Sequence, residues 1–323
     1  MTSKKKLKIN KNLKIYIAGH GGMVGSSVLN YFKNKNFRKL IIISSKKLDL
    51  TKKELVFNFF KKNKPDIVIN CAAKVGGIKI NNLKKVSFFN SNLEISQNII
   101  NASHKFNIKR LIFLGSSCVY PNDFSKKIKE EDLLSSSLEP TNEAYALAKI
   151  SGIRLCHYYN EEFNRDFRCL MPPNLYGKND NYDLNNSHVL AALIKKIDNL
   201  KKNTKILKLW GNGKSKREFL YVNDFTKALF QITFLSKKKF KQNSYESIIN
   251  VPSKYEFSIK SLAHKIAKVL NKKIKIKYIN KHLTGTKRKK MDSKRFSNII
   301  KSFNQTGFDQ SIKETFIAFK NAK

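Results

Sequence analysis

Lys14-Ile15-Tyr16-Ile17-Ala18-Gly19-His20-Gly21-Gly22-Met23-Val24-Gly25 decides the fold. Ile15 to Ala18 is apolar and β-rich, so it reads as a short buried strand. The glycines follow at once in the spacing G-x-x-G-x-x-G, and a helical pattern runs from about Val24 to Lys35. Glycine at such a turn lets the backbone bend sharply and approach a pyrophosphate, whose charge is favoured at a helix N-terminus. A glycine-rich turn that binds nothing has the same spelling. Position after the first strand of an alternating chain favours the dinucleotide reading. Gly19, His20, Gly21, Gly22, Met23, Val24 and Gly25 are therefore candidate cofactor contacts.

Outward from this turn, strand and helix signals alternate. Strands are expected at Leu40–Ile43, Ile67–Cys71, Leu111–Leu114 and Phe167–Leu170, and helices at about 86–106 and 145–163. Thr51 with Glu54 reads as a capping box that opens a helix to about Lys62, stopped by Pro65-Asp66. Such alternation predicts an α/β fold, a Rossmann-type doubly wound parallel sheet. After Pro172-Pro173 the rhythm changes to an Asn-, Gly- and Asp-rich loop. A helix to about Leu200 follows, then strands near 206–210 and 219–222, helices near 223–235 and 258–270, and a basic mixed stretch over 273–323. The expected division is a dinucleotide-binding domain of residues 1–173 with a returning piece near 219–251, and a smaller mixed substrate domain over the rest of 174–323. Residues 1–13 read as a frayed arm.

Composition narrows the function. The chain has 323 residues, 41% hydrophobic with 23 Phe and 12 Tyr, enough for a large core. Lys and Arg number 65 against 23 acids, a formal charge of +42. Only eight of these are Arg, and the lysines are spread through every segment rather than gathered on one stripe. An acidic small-molecule substrate fits better than nucleic acid. Cys71, Cys118, Cys156 and Cys169 form no C-x-x-C pair and no zinc spacing with His, so neither a metal nor a disulfide scaffold is expected. The longest apolar runs are too short for a signal peptide core or a membrane span, and a reducing cytoplasm is the expected location.

Tyr145 and Lys149 lie four apart on an expected helix, hence on one face. An ammonium beside a phenol favours phenolate and makes Tyr a proton donor and acceptor. In so lysine-rich a chain about two Tyr-x-x-x-Lys matches arise by chance, and two exist, the other being Tyr31–Lys35. Only Tyr145 follows a strand that ends in Gly115-Ser116-Ser117-Cys118-Val119-Tyr120-Pro121, where open α/β sheets meet their ligands. Ser116 there can hold a carbonyl oxygen. A thiol such as Cys118, of pKa about 8.5 when free, becomes a base beside cations, although a lone Cys is more often a core residue. The acid expected after strand two to bind ribose hydroxyls is replaced by Ser44-Ser45-Lys46-Lys47, which suits a 2′-phosphate and favours NADP over NAD.

The glycine turn, Ser116 and Tyr145-x-x-x-Lys149, in this order, resemble the extended short-chain dehydrogenase/reductase family. Further strings resemble its GDP-4-keto-6-deoxymannose epimerase–reductase branch: Lys74-Val75-Gly76-Gly77-Ile78, Gly115–Pro121, Glu139-Pro140-Thr141-Asn142-Glu143, Asn174-Leu175-Tyr176-Gly177, Asn186-Ser187-His188-Val189, Trp210-Gly211-Asn212-Gly213 and Arg217-Glu218-Phe219. The resemblance runs from about residue 13 to 292. It implies NADPH-dependent conversion of a GDP-4-keto-6-deoxy sugar by 3,5-epimerisation and reduction at C4. It also implies a homodimer, with the helices at 86–106 and 145–163 as the candidate interface.

By the same resemblance Ser116, Cys118, Tyr145, Lys149 and His188 are the catalytic set. Leu114, Gly115, Ser116, Ser117, Tyr145, Lys149, Pro172, Asn174, Leu175 and His188 touch the cofactor. Lys196, Trp210, Arg217 and Lys289 hold the GDP-sugar. Cys118 with His188 as acid–base pair sets the reading apart from a 4-epimerase, which would leave them idle, and Cys118 in place of the acid pair of a Ser/Thr-Asp-Glu site argues against a dehydratase. Another nucleotide-sugar epimerase or reductase, and a non-catalytic dinucleotide- or RNA-binding module, are the alternatives. Three departures stand out. Gly21 replaces an Arg common in the turn, Pro173 removes a hydroxyl and an N–H, and Thr284 replaces an Asp.

Overall fold

The computed structural model describes residues 9–122, 126–201, 205–280 and 286–322. Its first half runs β1 (Lys14–Ala18), α1 (Met23–Asn34), β2 (Lys39–Ile41), α2 (Lys53–Asn63), β3 (Ile67–Asn70), α3 (Ile78–Leu83), α4 (Lys85–Lys105), β4 (Arg110–Leu114), α5 (Glu143–Phe163) and β5 (Phe167–Met171). The second half runs β6 (Asn174–Tyr176), α6 (Val189–Asp198), β7 (Ile206–Trp210), β8 (Lys216–Tyr221), α7 (Val222–Thr233), α8 (Lys237–Asn243), β9 (Ile248–Asn250), β10 (Glu256–Ser258), α9 (Ile259–Val269), β11 (Lys275–Ile279), β12 (Arg288–Lys289), α10 (Lys294–Ile299) and α11 (Phe308–Asn321).

Six strands form one all-parallel sheet in the order β2-β1-β3-β4-β5-β9. This is the doubly wound α/β arrangement. Alternate side chains explain its two coats. Ile15, Ile17, Ile67, Ile69 and Ile112 pack with Val28, Phe32, Phe225 and Leu229 of α1 and α7. Tyr16, Val68, Leu111 and Phe113 pack on the other face with Val56, Phe60, Ile99 and Ile153 of α2, α4 and α5. The chain winds from β1 outward to β2 and then back to β3, so the switch point lies between β1 and β3. Ligands bind above the carboxyl ends of the strands at such a point. A third apolar cluster joins α6, α9 and α11 to β7 and β8. There β8 pairs with β6, β10 and β12, and β7 pairs with β11.

Several local expectations are corrected. The capping box at Thr51 does not form. Lys52 takes the cap position of α2 without a side-chain bond, and the Thr51 hydroxyl donates to Asp49 Oδ1 at 2.8 Å. Asp49 offers a closer Asx turn and wins the hydroxyl. Residues 9–13 are not frayed, because Ile9 and Leu13 pack on the α1–α7 side of the core and the Lys11 carbonyl accepts from the Arg38 N–H at 3.2 Å. Residues 1–8 lie outside the described residues. The basic stretch after 273 contains α11, whose buried stripe of Phe308, Ser311, Ile312, Thr315 and Phe319 includes two hydroxyls. They are satisfied internally, Thr315 Oγ1 by the Ser311 carbonyl and Ser311 Oγ by the Tyr176 hydroxyl.

Candidate active site

The glycine turn sits at the switch point. Gly19 has φ +75°, which L side chains rarely adopt, and a Cβ on it would fall 2.7 Å from the Ala72 nitrogen. A Cβ on Gly25 would come within 2.1 Å of the Gly19 carbonyl oxygen. The turn is therefore packed as closely to β3 and to the first turn of α1 as glycine allows, with the α1 N-terminus opening beside it. At this edge His20 Nδ1 and Asn70 Nδ2 are buried with no protein partner. The close-packed cradle and these two orphaned polar atoms fit a dinucleotide. Beyond β2, Ser44, Ser45, Lys46 and Lys47 are all exposed and no acid stands among them. A Cβ at Gly21 would meet nothing within 4 Å, so packing does not require glycine there.

At the end of β4 the chain turns tightly through 117–119. Ser116 Oγ accepts from the Cys118 backbone N–H at 3.2 Å, and the Ser117 N–H donates to the Pro172 carbonyl at 3.0 Å. The Ser116 hydroxyl still has its own proton to donate. Gly115 N–H donates to the Leu170 carbonyl at 2.9 Å, tying this turn to β5. Asn174 spends its amide on the Glu218 carbonyl at 3.0 Å, and Leu175 continues β6.

Lys149 and Lys289 are the two buried lysines among the described residues, and both point at this turn. Lys149 Nζ donates to the Leu114 carbonyl at 2.9 Å and lies 4.9 Å from the Phe113 ring centroid. Burial pulls its pKa down to about 8, against the nearby Cys71, Cys169 and Cys156 thiols, which act in the opposite direction. Lys289 Nζ reaches the Ser117 carbonyl at 3.4 Å and is lowered by burial, with Cys118 and Glu139 opposing and Arg217 assisting. Arg217 donates to the Thr286 carbonyl at 2.6 Å and is likewise lowered by burial, with Cys118 and Glu139 opposing. Cys118, half-buried, thus shares its surroundings with two cations, Arg217 and Lys289.

Tyr145 completes the cluster. Burial and then the Cys118 thiol push its phenol well above the usual range. Glu139 was not singled out from the sequence. It is 8% exposed, accepts from the Thr141 hydroxyl at 2.6 Å and the Asn142 amide at 2.7 Å, and acts on both Arg217 and Lys289. Its only sequence signal was its place in the Glu139–Glu143 string, since the acid has no charge partner nearby in the chain.

His188 takes the cap position of α6 without using its imidazole to cap. His188 is exposed, yet desolvation by the surrounding protein holds its pKa below the ordinary value. Its loop is docked on the turn after β3 by the Gly77 N–H, which donates to the Asn186 carbonyl at 2.9 Å. Lys196 and Trp210 form a separate pair, the ammonium 5.6 Å from the indole. Trp210 is 41% exposed and so is not a core residue. Tyr31–Lys35 is a surface cation–π contact at 5.5 Å on α1. Pro173 is buried between β5 and β6, and Thr284 lies outside the described residues.

Comparison with known proteins agrees with this geometry. The profile of the family described as "NAD dependent epimerase/dehydratase family" matches residues 15–250. The GDP-L-fucose synthase of Escherichia coli (strain K12) is 38% identical over 289 residues, 88% of this chain and 90% of the relative. That of Sinorhizobium fredii (strain NBRC 101917 / NGR234) is 42% identical over 283 residues, 87% and 88% of the two chains. A GDP-L-fucose synthetase from Naegleria fowleri, solved bound to NADP, superposes with a TM-score of 0.86 at 28% identity, covering 99% of this chain and 98% of that one. Taken with the strand order and the cluster at the end of β4, these matches place the chain in the NAD dependent epimerase/dehydratase family.

Proposed function

We propose that this chain converts GDP-4-keto-6-deoxy-D-mannose to GDP-L-fucose in two steps, 3,5-epimerisation and then reduction at C4, with NADPH. The observation that carries the reading is the company of Cys118. One thiol shares a half-buried turn with Tyr145, Lys289 and Arg217, and Ser116 holds that turn. A plain reductase has no use for a thiol there.

The chemistry follows from the ketone. C3–H and C5–H are both acidified by the C4 carbonyl between them. Cys118 as thiolate takes a proton from one face of the carbon. Ser116 and Tyr145 donate hydrogen bonds to the C4 oxygen, where negative charge develops. His188 returns a proton to the opposite face, which inverts the centre. Its lowered pKa makes the imidazolium a stronger acid but a scarcer one at neutral pH. The dinucleotide, when bound, supplies the hydride for C4. Tyr145 then gives its proton to the C4 oxygen, and a high phenol pKa keeps that proton in place until oxyanion charge appears. Lys149, Gly19, Gly22, Gly25 and Ser116 hold the dinucleotide, and Ser44–Lys47 face its 2′-phosphate. Arg217 and Lys289 neutralise the GDP diphosphate, and Trp210 with Lys196 covers the nucleotide end.

This reading includes a homodimer through α4 and α5, where Val86, Leu147 and Tyr158 are exposed, and a cytoplasmic enzyme. Among the described residues no helix is long and apolar enough to cross a membrane. The test is incubation with GDP-4-keto-6-deoxymannose and each nicotinamide cofactor, followed by NMR identification of the product. GDP-L-fucose formed with NADPH supports the reading. A product that keeps its C3 and C5 configuration, or no oxidation of either cofactor, overturns it.

A further inference from the structure

The two proton-handling sides of the site come from distant parts of the chain. Tyr145 and Lys149 ride on α5, whereas His188 ends the loop 177–188. One buried side chain connects them. Asn81, on the short α3 after the Gly76-Gly77 turn, is 5% exposed. Its amide nitrogen donates to the Gly76 carbonyl at 3.1 Å and to Asn142 Oδ1 at 2.8 Å.

Each end of this bridge leads to the site. Asn142 is the cap residue of α5, and its carbonyl accepts from the Ala146 N–H at 2.9 Å, one residue past Tyr145. The Asn142 amide goes on to Glu139, the acid that faces Arg217 and Lys289. On the other side, Gly77 donates to Asn186, two residues before His188. Gly77 lies so close that a Cβ on it would fall 2.6 Å from the Ser187 carbonyl oxygen. Asn92 fixes the same turn from below, holding both the N–H and the carbonyl of Lys74 at 2.9 Å. The turn is thus a rigid block with α5 on one side and the His188 loop on the other.

We infer that Asn81 is a positioning residue that sets the spacing between the Tyr145 helix and the His188 loop. The inference deepens the proposed reaction and rests on it for its catalytic consequence. A planar amide with two donors suits the role, since both bonded atoms are acceptors held by backbone or by a cap. Removing a buried donor leaves those acceptors unpaired, and the block can then shift against α5. The hydride step draws on Ser116, Tyr145 and Lys149 on the β4–α5 side, whereas inversion draws on Cys118 of the β4 turn together with His188 across from it. A loosened bridge therefore slows inversion more than reduction, and the ketone is reduced before it is inverted.

The test uses the full chain with Asn81→Ala, Asn142→Ala and the double variant. Backbone amide hydrogen exchange comes first, because it needs no substrate. In N81A the segment 183–189 and the first turn of α5 are expected to exchange about tenfold faster, while β1 and β4 are unchanged. With GDP-4-keto-6-deoxymannose and NADPH, the ratio of un-inverted to inverted 6-deoxy product is expected to rise by about tenfold, and the double variant to add little to either single change. Should N81A not fold, N142A, altered at a half-buried residue, carries both measurements. Unchanged exchange at 183–189 overturns the inference, as does an equal slowing of both steps with only inverted product. If the unaltered chain makes no GDP-L-fucose, the reaction assignment fails while the exchange data still judge the bridge.

Discussion

At the scale of single residues, Gly21 offers a direct experiment. It is exposed, its φ lies outside the left-handed range, and nothing stands within 4 Å of a Cβ placed there. Gly21→Arg should fold normally and add a guanidinium beside the dinucleotide cradle. A charge-assisted bond to a 2′-phosphate should tighten NADPH binding by about tenfold, with NADH binding nearly unchanged, as measured by fluorescence titration. Equal gains for both cofactors would mean that the 2′-phosphate lies elsewhere. The same scale shows where sequence reading runs short. Tyr145-x-x-x-Lys149 and Tyr31-x-x-x-Lys35 are spelled alike, and only their places in the fold differ. With 57 lysines in the chain, nothing in the spelling marks Lys149 and Lys289 as the two buried ones among the described residues. Glu139 and Asn81 escape a reading of the sequence because the contacts that matter at the site, Arg217 and Lys289 for the acid and Asn142 for the amide, come from segments far along the chain.

At the scale of elements, the loop between β6 and α6 carries a buried acid. Asp180 Oδ2 has no protein partner, and burial pushes the Asp180 carboxyl up to about 7. A carboxyl whose pKa is raised on folding binds its proton more tightly in the folded state. Its contribution to stability is complete below the unfolded value near pH 4 and is lost as pH rises through about 7. Asp180→Asn should therefore be no less stable than the parent at pH 5 and more stable at pH 8. The midpoint of thermal unfolding followed across that range checks this, and parallel curves for the two proteins would refute it. The elements themselves were largely legible. The strands before and after the glycine turn, α4, α5 and α9 all have runs of apolar residues at helical or strand spacing. What sequence reading missed has identifiable physics. Asp49 outcompetes the Thr51 capping box, and α11 hides its stripe because Ser311 and Thr315 stand where apolar residues are looked for.

At the scale of the whole molecule, the alternation of strands and helices was enough to specify a parallel sheet. It did not specify how the second half weaves between sheets. β8 leaves the main sheet to pair with β6, β10 and β12, yet β9 returns to its edge beside β5. Arg217 on β8 and Lys289 on β12 sit in register as neighbours, which brings both to Cys118 although 72 residues separate them. No pattern of spacing could have shown that pairing. In the proposed reaction Cys118 is the base that removes a proton from carbon, with Arg217 and Lys289 as its cationic neighbours. The direct measurement is deuterium uptake at C3 and C5 of GDP-4-keto-6-deoxymannose in heavy water, without reductant, by the parent chain and by Cys118→Ser. The expected result is uptake by the parent, a loss of about a thousandfold or more in the variant, and unchanged NADPH affinity. Uptake by the variant at the parental rate would contradict it.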